Sequence, residues 1–209
     1  MGMASIEWIE FPALKLHGIR HAFSRRAAVP LTGLETELEL SSAALGFAPQ
    51  TRVEAQQPHG NGVACVREIP KGRIPDADAL VTQLPGVTLA IRVADCGPVY
   101  FYDPVAKAIG LAHSGKKGTA LNIAGATISA MQREFSSDPR NLIAVLGPCI
   151  RPPYYEEDFA AQIAQQVRAA GVEQFYDCGI CTGANVRDYY SYRMEKGQTG
   201  WMWALLMLV

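Results

Sequence analysis

Three apolar, β-rich runs follow one another inside the stretch VTLAIRVADCGPVYFYDPVAKAIGLAHSGKKG, residues 87–118, at residues 88–93, 99–102 and 108–112. Gly and Pro bound them, and runs so short and so closely punctuated read as strands, so a sheet has to be the framework of this chain. The connections carry the chemistry. Cys96 sits in the turn Ala94-Asp95-Cys96-Gly97-Pro98, and His113 follows the third run just ahead of Ser114-Gly115-Lys116-Lys117-Gly118. Side chains at strand ends are delivered by a rigid scaffold into a cleft, so a thiol and an imidazole are expected to meet there.

A free cysteine is also among the most buried residue types and often only fills a core, and a single histidine at a strand end carries no more weight. A third element changes the balance: Gln56-Gln57-Pro58-His59-Gly60, a second Gly-flanked histidine ahead of the apolar run at residues 62–66. Two histidines and a cysteine at widely separated strand ends form a set that a transition metal or a nucleophilic site could use. Core filling remains the alternative.

A chain of 209 residues with 49% apolar composition is large enough for one sizeable core and awkward for two, so a single domain over residues 1–209 is expected. A net charge of −1 and a pI near 6.4 argue against nucleic acid as a partner, because binding a phosphate backbone needs a basic face. The start MGMASIEWIEFPAL lacks a basic region followed by an apolar core of signal-peptide length, and the cysteine count of 5 is odd and without a regular framework. Both point to a reducing compartment, with the cytoplasm as the expectation. The apolar WMWALLMLV at residues 201–209 is about half a membrane span, which makes it a buried strand closing the core and leaves no membrane partner. A monomer is expected.

Elsewhere residues 1–16 alternate weakly, as an edge strand does, and residues 31–45 carry Leu34, Leu38 and Leu45 in a modest helical pattern after Pro30. Leu121, Ala124, Ile128, Met131 and Phe135 recur at three- and four-residue steps and predict one amphipathic helix over residues 119–135. Residues 142–146 read as a buried strand, and residues 156–170 as a second helix with Phe159, Ile163 and Val167 on one side and Gly171 as its stop. Alternation of this kind favours a layered α/β domain. The helix start expected near Thr119, with Lys116 and Lys117 beside it, would suit a phosphate or other anion, or would be a solvated basic turn. The Cys178-Gly179-Ile180-Cys181 motif has no second CxxC to complete a zinc site.

In order along the chain, QQPHGNGV, DADALVT, PGVTLAIRVADCGPV, AHSGKKG, LGPCI with Tyr155-Glu156, then Cys181-Thr182, Ser191-Tyr192-Arg193 and Thr199-Gly200 resemble successive blocks of one family. It is variously called YfiH-like, laccase-domain multicopper polyphenol oxidoreductase and purine nucleoside phosphorylase. The blocks run over residues 53–209. Residues 1–52 are a poorly matched, shortened N-terminal part, in which HAFSRR resembles the family's His-Gly-Phe-Ser-Thr-Arg.

The resemblance implies a single-domain layered α/β/β/α sandwich with mixed sheets. It further implies a site of His59, Cys96 and His113, holding zinc or, alternatively, copper. Two neutral imidazoles and a thiolate leave a fourth tetrahedral position open, the arrangement of catalytic zinc, which lowers the pKa of bound water to about 7. The expected activity is phosphorolysis of adenosine, inosine or methylthioadenosine together with adenosine deamination, with a purine nucleoside and phosphate as small-molecule partners. The alternatives are a cysteine hydrolase cleaving an amide such as a cell-wall precursor with Cys96 as nucleophile and His113 as base, a polyphenol oxidase, and an inactive metal-binding homologue. With 4 histidines the chain is poorly supplied for a multicopper cluster.

Two departures bear on the anion. The family's His-Ala-Gly-Trp-Arg-Gly stands here as His113-Ser114-Gly115-Lys116-Lys117-Gly118, and its Thr-Gly-Arg-Met as Thr199-Gly200-Trp201-Met202. Lysine holds phosphate as a point charge without the bidentate fork of arginine. Arg26 and Arg193 remain as further candidate anion contacts.

Overall fold

Each of the three closely spaced runs forms a strand, and the strands around them sort into two sheets. The structure, a computed structural model, describes residues 6–16 and 18–209. In chain order the elements are β1 (Trp8–Ile9), β2 (Ile19–Ser24), α1 (Leu34–Ala44), β3 (Arg52–Glu54), β4 (Val63–Cys65), β5 (Ala79–Thr82), β6 (Thr88–Val93), β7 (Gly97–Asp103) and β8 (Ala108–Ser114). They continue with α2 (Lys116–Ala120), α3 (Ile123–Phe135), β9 (Ile143–Leu146), α4 (Phe159–Ala169), β10 (Gln174–Asp177) and β11 (Met202–Leu208). Residues 1–5 of the alternating N-terminal stretch lie outside the described residues, and its remainder contributes the short edge strand β1.

One sheet has the order β1-β2-β11-β6-β3 and the other β10-β9-β7-β8-β5-β4. Both are mixed: β3 runs parallel to β6, and β4 and β10 run parallel to β5 and β9, while the remaining neighbours are antiparallel. The period-2 alternation of a strand divides β7 between two cores. Tyr100 and Tyr102 point into the apolar layer between the sheets, whereas Val99 and Phe101 face the helices α3 and α4. Ile109 and Leu111 against Ala108 and Ala112 repeat this division in β8.

α1 covers the outer face of the first sheet. Its Leu34 and Leu38 are fully buried, and its Glu35 and Glu39 accept from Arg92 and Arg52, whose guanidinium groups lie over the Trp203 ring at 5.8 and 4.3 Å. The layers are therefore helix, sheet, sheet, helix, as the sequence blocks imply, within one α/β domain.

Three elements differ in detail from the sequence expectation. The helix over residues 119–135 is two helices, α2 and α3, because Asn122 takes a left-handed conformation with φ 57° and caps α3 by accepting from the Gly125 N–H at 3.1 Å. Leu121 falls in that break and is 52% exposed, so the buried stripe begins at Ile123 and Ala124. The helix expected from residue 156 begins at Phe159, where Asp158 accepts from the Ala161 N–H at 2.9 Å. Finally, β11 does more than close the core: it is the middle strand of its sheet, paired with β2 on one side and β6 on the other.

Candidate metal centre

The register of the second sheet assembles the site. In the β7–β8 pair Gly97 stands opposite Ser114 and Pro98 opposite His113, which brings the imidazole beside the β6–β7 turn holding Cys96. In the β5–β8 pair Ala79 stands opposite Ala112, so Asp78, one residue earlier, lies along His113, and the His113 N–H donates to the Asp78 carbonyl at 2.8 Å. His59 arrives from the loop after β3. The candidate ligand atoms of His59, Cys96 and His113 all lie within 4.8 Å of one another, and the two imidazoles are 4.8 Å apart at 76°.

Asp78 ties two of these together. Its Oδ1 accepts from His113 Nδ1 at 2.9 Å and from the His59 main-chain N–H at 3.0 Å, while its Oδ2 accepts from the Gly60 N–H at 2.6 Å. The carboxylate is fully buried. Burial pushes its pKa up, but the bonds from His113 and from the Gly60 and His59 amides outweigh that and leave it lowered, so it stays ionised. With Nδ1 committed to Asp78, His113 turns Nε2 towards the sulfur.

Burial alone would raise the Cys96 thiol and lower the His113 imidazole. Their mutual attraction, with the His59 ring close to the sulfur and His113 bonded to Asp78, reverses each shift. The result is a depressed thiol and an elevated imidazole, which favours the thiolate at Cys96. Gly115 makes room for it, because a Cβ at that position would run into the Cys96 sulfur. Asp95, with φ 87°, accepts from the Thr182 hydroxyl at 2.7 Å and from the Arg193 N–H at 2.8 Å, which fastens the cysteine turn to the far side of the site.

A thiolate and two imidazoles suit a borderline-soft divalent ion such as zinc, and a carboxylate behind one imidazole is the usual outer partner of such a ligand. Among the described residues this is the one group of three or more side chains placed to hold a metal. It forms the floor of a cleft of about 650 Å³, within the range of small-molecule sites. Tyr155, Phe159 and Tyr192 give the walls an aromatic character.

Of the cations named from sequence, Lys116, Lys117 and Arg193 line this cleft. Lys116 pairs with Glu157 at 2.7 Å, and Arg193 pairs with Glu156 at 2.7 Å while lying 4.5 Å over the Tyr155 ring. Lys117 has no carboxylate partner among the described residues. Arg26 is elsewhere: it bonds Glu195 at 2.7 Å and the Val186 carbonyl at 3.0 Å and stacks on Tyr190. Thr119 is no helix start. It is buried inside α2, its hydroxyl paired with Ser114 at 2.8 Å, and the helix begins at Lys116. Cys178 and Cys181 are free thiols, with no bond between them.

Asp78, Asp95 and Gln57 escaped the sequence reading. Asp78 had a signal: an acid immediately before an apolar run, as His113 comes immediately after one. Asp95 and Gln57 act through contacts with residues far along the chain, which no local pattern reports.

The family model for multi-copper polyphenol oxidoreductase laccase matches residues 34–158 and 155–209. A purine nucleoside phosphorylase of Deinococcus radiodurans is 36% identical over 91% of this chain and 89% of its own length. One from Streptomyces coelicolor is 30% identical over 79% of this chain and 80% of its own. The crystal structure of YlmD from Geobacillus stearothermophilus superposes with a TM-score of 0.88 at 24% identity, covering 96% of both chains. That of a Neisseria meningitidis protein gives 0.81 at 22% identity, over 98% of this chain and 99% of its own.

Proposed function

The chain belongs to the multi-copper polyphenol oxidoreductase laccase family, and from that premise we propose that it is a zinc-dependent purine nucleoside enzyme, cleaving nucleosides with phosphate and deaminating adenosine. The observation that carries this reading is the convergence of His59, Cys96 and His113 at the floor of a nucleoside-sized cleft, in a chain akin to proteins named purine nucleoside phosphorylases.

His59, Cys96 and His113 would hold one zinc ion, which supplies Lewis acidity at the floor of the cleft. Asp78 keeps His113 oriented with Nε2 forward; the depressed Cys96 thiol gives up its proton readily, while His113 must release the proton on Nε2 to ligate. In phosphorolysis an oxygen of hydrogen phosphate bonds to the ribose C1′ as the bond from C1′ to the purine nitrogen breaks, and the base leaves with the proton that the phosphate gives up. Lys117, free of a carboxylate, is placed to receive the phosphate first. Lys116 and Arg193 can join by exchanging Glu157 and Glu156, since exposed ion pairs of this kind hold weakly. In deamination water adds at the purine C6 and ammonia departs. Three donors arranged for one ion do not fit the several coppers that phenol oxidation requires.

The test is incubation with adenosine or inosine, with and without phosphate. Ribose 1-phosphate marks phosphorolysis, and conversion of adenosine to inosine without phosphate marks deamination. Lys117→Ala should raise the phosphate requirement well above any change in the nucleoside requirement. No product from either nucleoside under both conditions sinks the purine assignment.

A second reading rests on the same floor. Cys96, His113 and Asp78 stand as nucleophile, base and orienting carboxylate, which is the arrangement of a cysteine hydrolase acting on an amide. Chelators should abolish turnover in the first reading. Activity that survives complete metal removal but not thiol alkylation would favour the second.

A further inference from the structure

His59 is the ligand with the least support of its own. It is exposed, its side chain has no carboxylate behind it among the described residues, and its backbone is left-handed with φ 65°, two residues after Gln57 at φ 62°. Non-glycine residues persist in that conformation only where surrounding contacts over-determine them.

The contacts lead to Gln57. β3 pairs with β6 as far as Glu54 opposite Ala90, and then the chain turns away so that Ala55 bridges to Ile74. Two residues further along β6 the Arg92 backbone would be left without a partner on that side. The side-chain amide of Gln57 fills the gap: its Oε1 accepts from the Arg92 N–H at 2.9 Å and its Nε2 donates to the Arg92 carbonyl at 2.7 Å. One side chain thus stands in for the missing strand residue, making both ladder bonds. Its own N–H donates to the Ala77 carbonyl at 2.9 Å, and Asp78 takes the His59 and Gly60 amides just beyond.

We propose that Gln57 is a positioning residue: by pinning the loop after β3 to the Arg92 backbone, it sets His59 opposite Cys96 and His113. This rests on His59 serving as a metal ligand, and it adds the residue that makes His59 one. The role requires an amide, because a donor and an acceptor are needed at once. Glutamate at this position can only accept, and leucine can do neither.

The experiment measures zinc affinity by chelator competition, and the visible spectrum of the cobalt-substituted protein, for wild type, Gln57→Leu, Gln57→Glu, His59→Ala and the Gln57→Leu/His59→Ala double variant. Loss of an outer partner of a metal ligand typically costs 10–100-fold in affinity. Gln57→Leu should weaken zinc by about that factor and shift the cobalt bands towards those of His59→Ala, with Gln57→Glu in between. In the His59→Ala background Gln57→Leu should have no further effect, because the two act as one unit. Wild-type zinc affinity in Gln57→Leu, or an equal loss in both backgrounds, overturns the inference while leaving the metal site standing. Should Gln57→Leu fail to fold, the same comparison is made with Gln57→Glu. A wild-type protein that takes up neither zinc nor cobalt overturns the metal reading, and the role of Gln57 with it.

Discussion

The Cα of Gly115 faces the sulfur of Cys96 so closely that no side chain fits between them. The backbone there is ordinary extended chain, with φ −104° and ψ −170°, so the requirement for glycine is one of space and not of conformation. Gly115→Ala must displace either the thiolate or the start of α2. Overpacking of this kind costs about 1–3 kcal/mol. We expect a melting temperature lower by a few degrees and a zinc affinity lower by about tenfold or more, read by thermal unfolding and chelator competition. Unchanged affinity would show that the sulfur has another place to go.

Asp78→Asn preserves the shape of the carboxylate while removing its charge and half its accepting capacity. The three donors that converge on it, from His113, His59 and Gly60, can no longer all be satisfied. Leaving a buried donor unpaired costs about 1–3 kcal/mol. Urea unfolding should show a loss of that size. Zinc affinity should fall about 10–100-fold, because one substitution disturbs two ligands.

His21 gives stability a pH dependence unconnected with the cleft. Its Nε2 accepts from the Phe11 N–H at 2.7 Å, and burial lowers its pKa from 6.5 to about 4. Between those values the unfolded chain binds a proton that the native protein does not, so stability is fully present above about pH 6.5 and is lost as the pH falls towards 4. The two pKa values correspond to roughly 3 kcal/mol. Urea titrations across this window should show the slope in wild type, and His21→Gln should flatten it.

Much of the frame was legible because strand punctuation is local. The run at residues 88–93 is β6, and those at 99–102 and 108–112 lie within β7 and β8, since Gly and Pro end a strand regardless of what packs on it. The helix break at Asn122 was hidden because Leu121 happens to continue the apolar spacing, and only the left-handed φ exposes it. At the site, Cys96 and His113 could be named from their positions beside strands, whereas His59 lies in mid-loop between β3 and β4 and is marked by its Gly-flanked block. The groups packed around them could not be named: Gln57 bonds Arg92 and Asp95 bonds Thr182, pairings made by sheet register and loop packing. Charge misled in the same way. Arg26 and Lys117 look alike as letters, yet Arg26 is spent on Glu195 and the Val186 carbonyl, while Lys117 reaches the cleft.

The position of β11 fixes the order in which the molecule can be assembled as it is synthesised. All strands of the six-stranded sheet have been made once residue 177 is in place, so its strand pairs have every partner they need before synthesis ends. Those of the other sheet do not, because β2 and β6 must wait for residues 202–208 to be inserted between them. Until then a nascent chain carries two unsatisfied strand edges flanking an empty slot, the kind of surface that invites wrong partners and the attention of chaperones. Tyr192 and Arg193, on the far wall of the cleft, lie in the segment leading into that strand. The Cys96 thiol is therefore made early and walled in late.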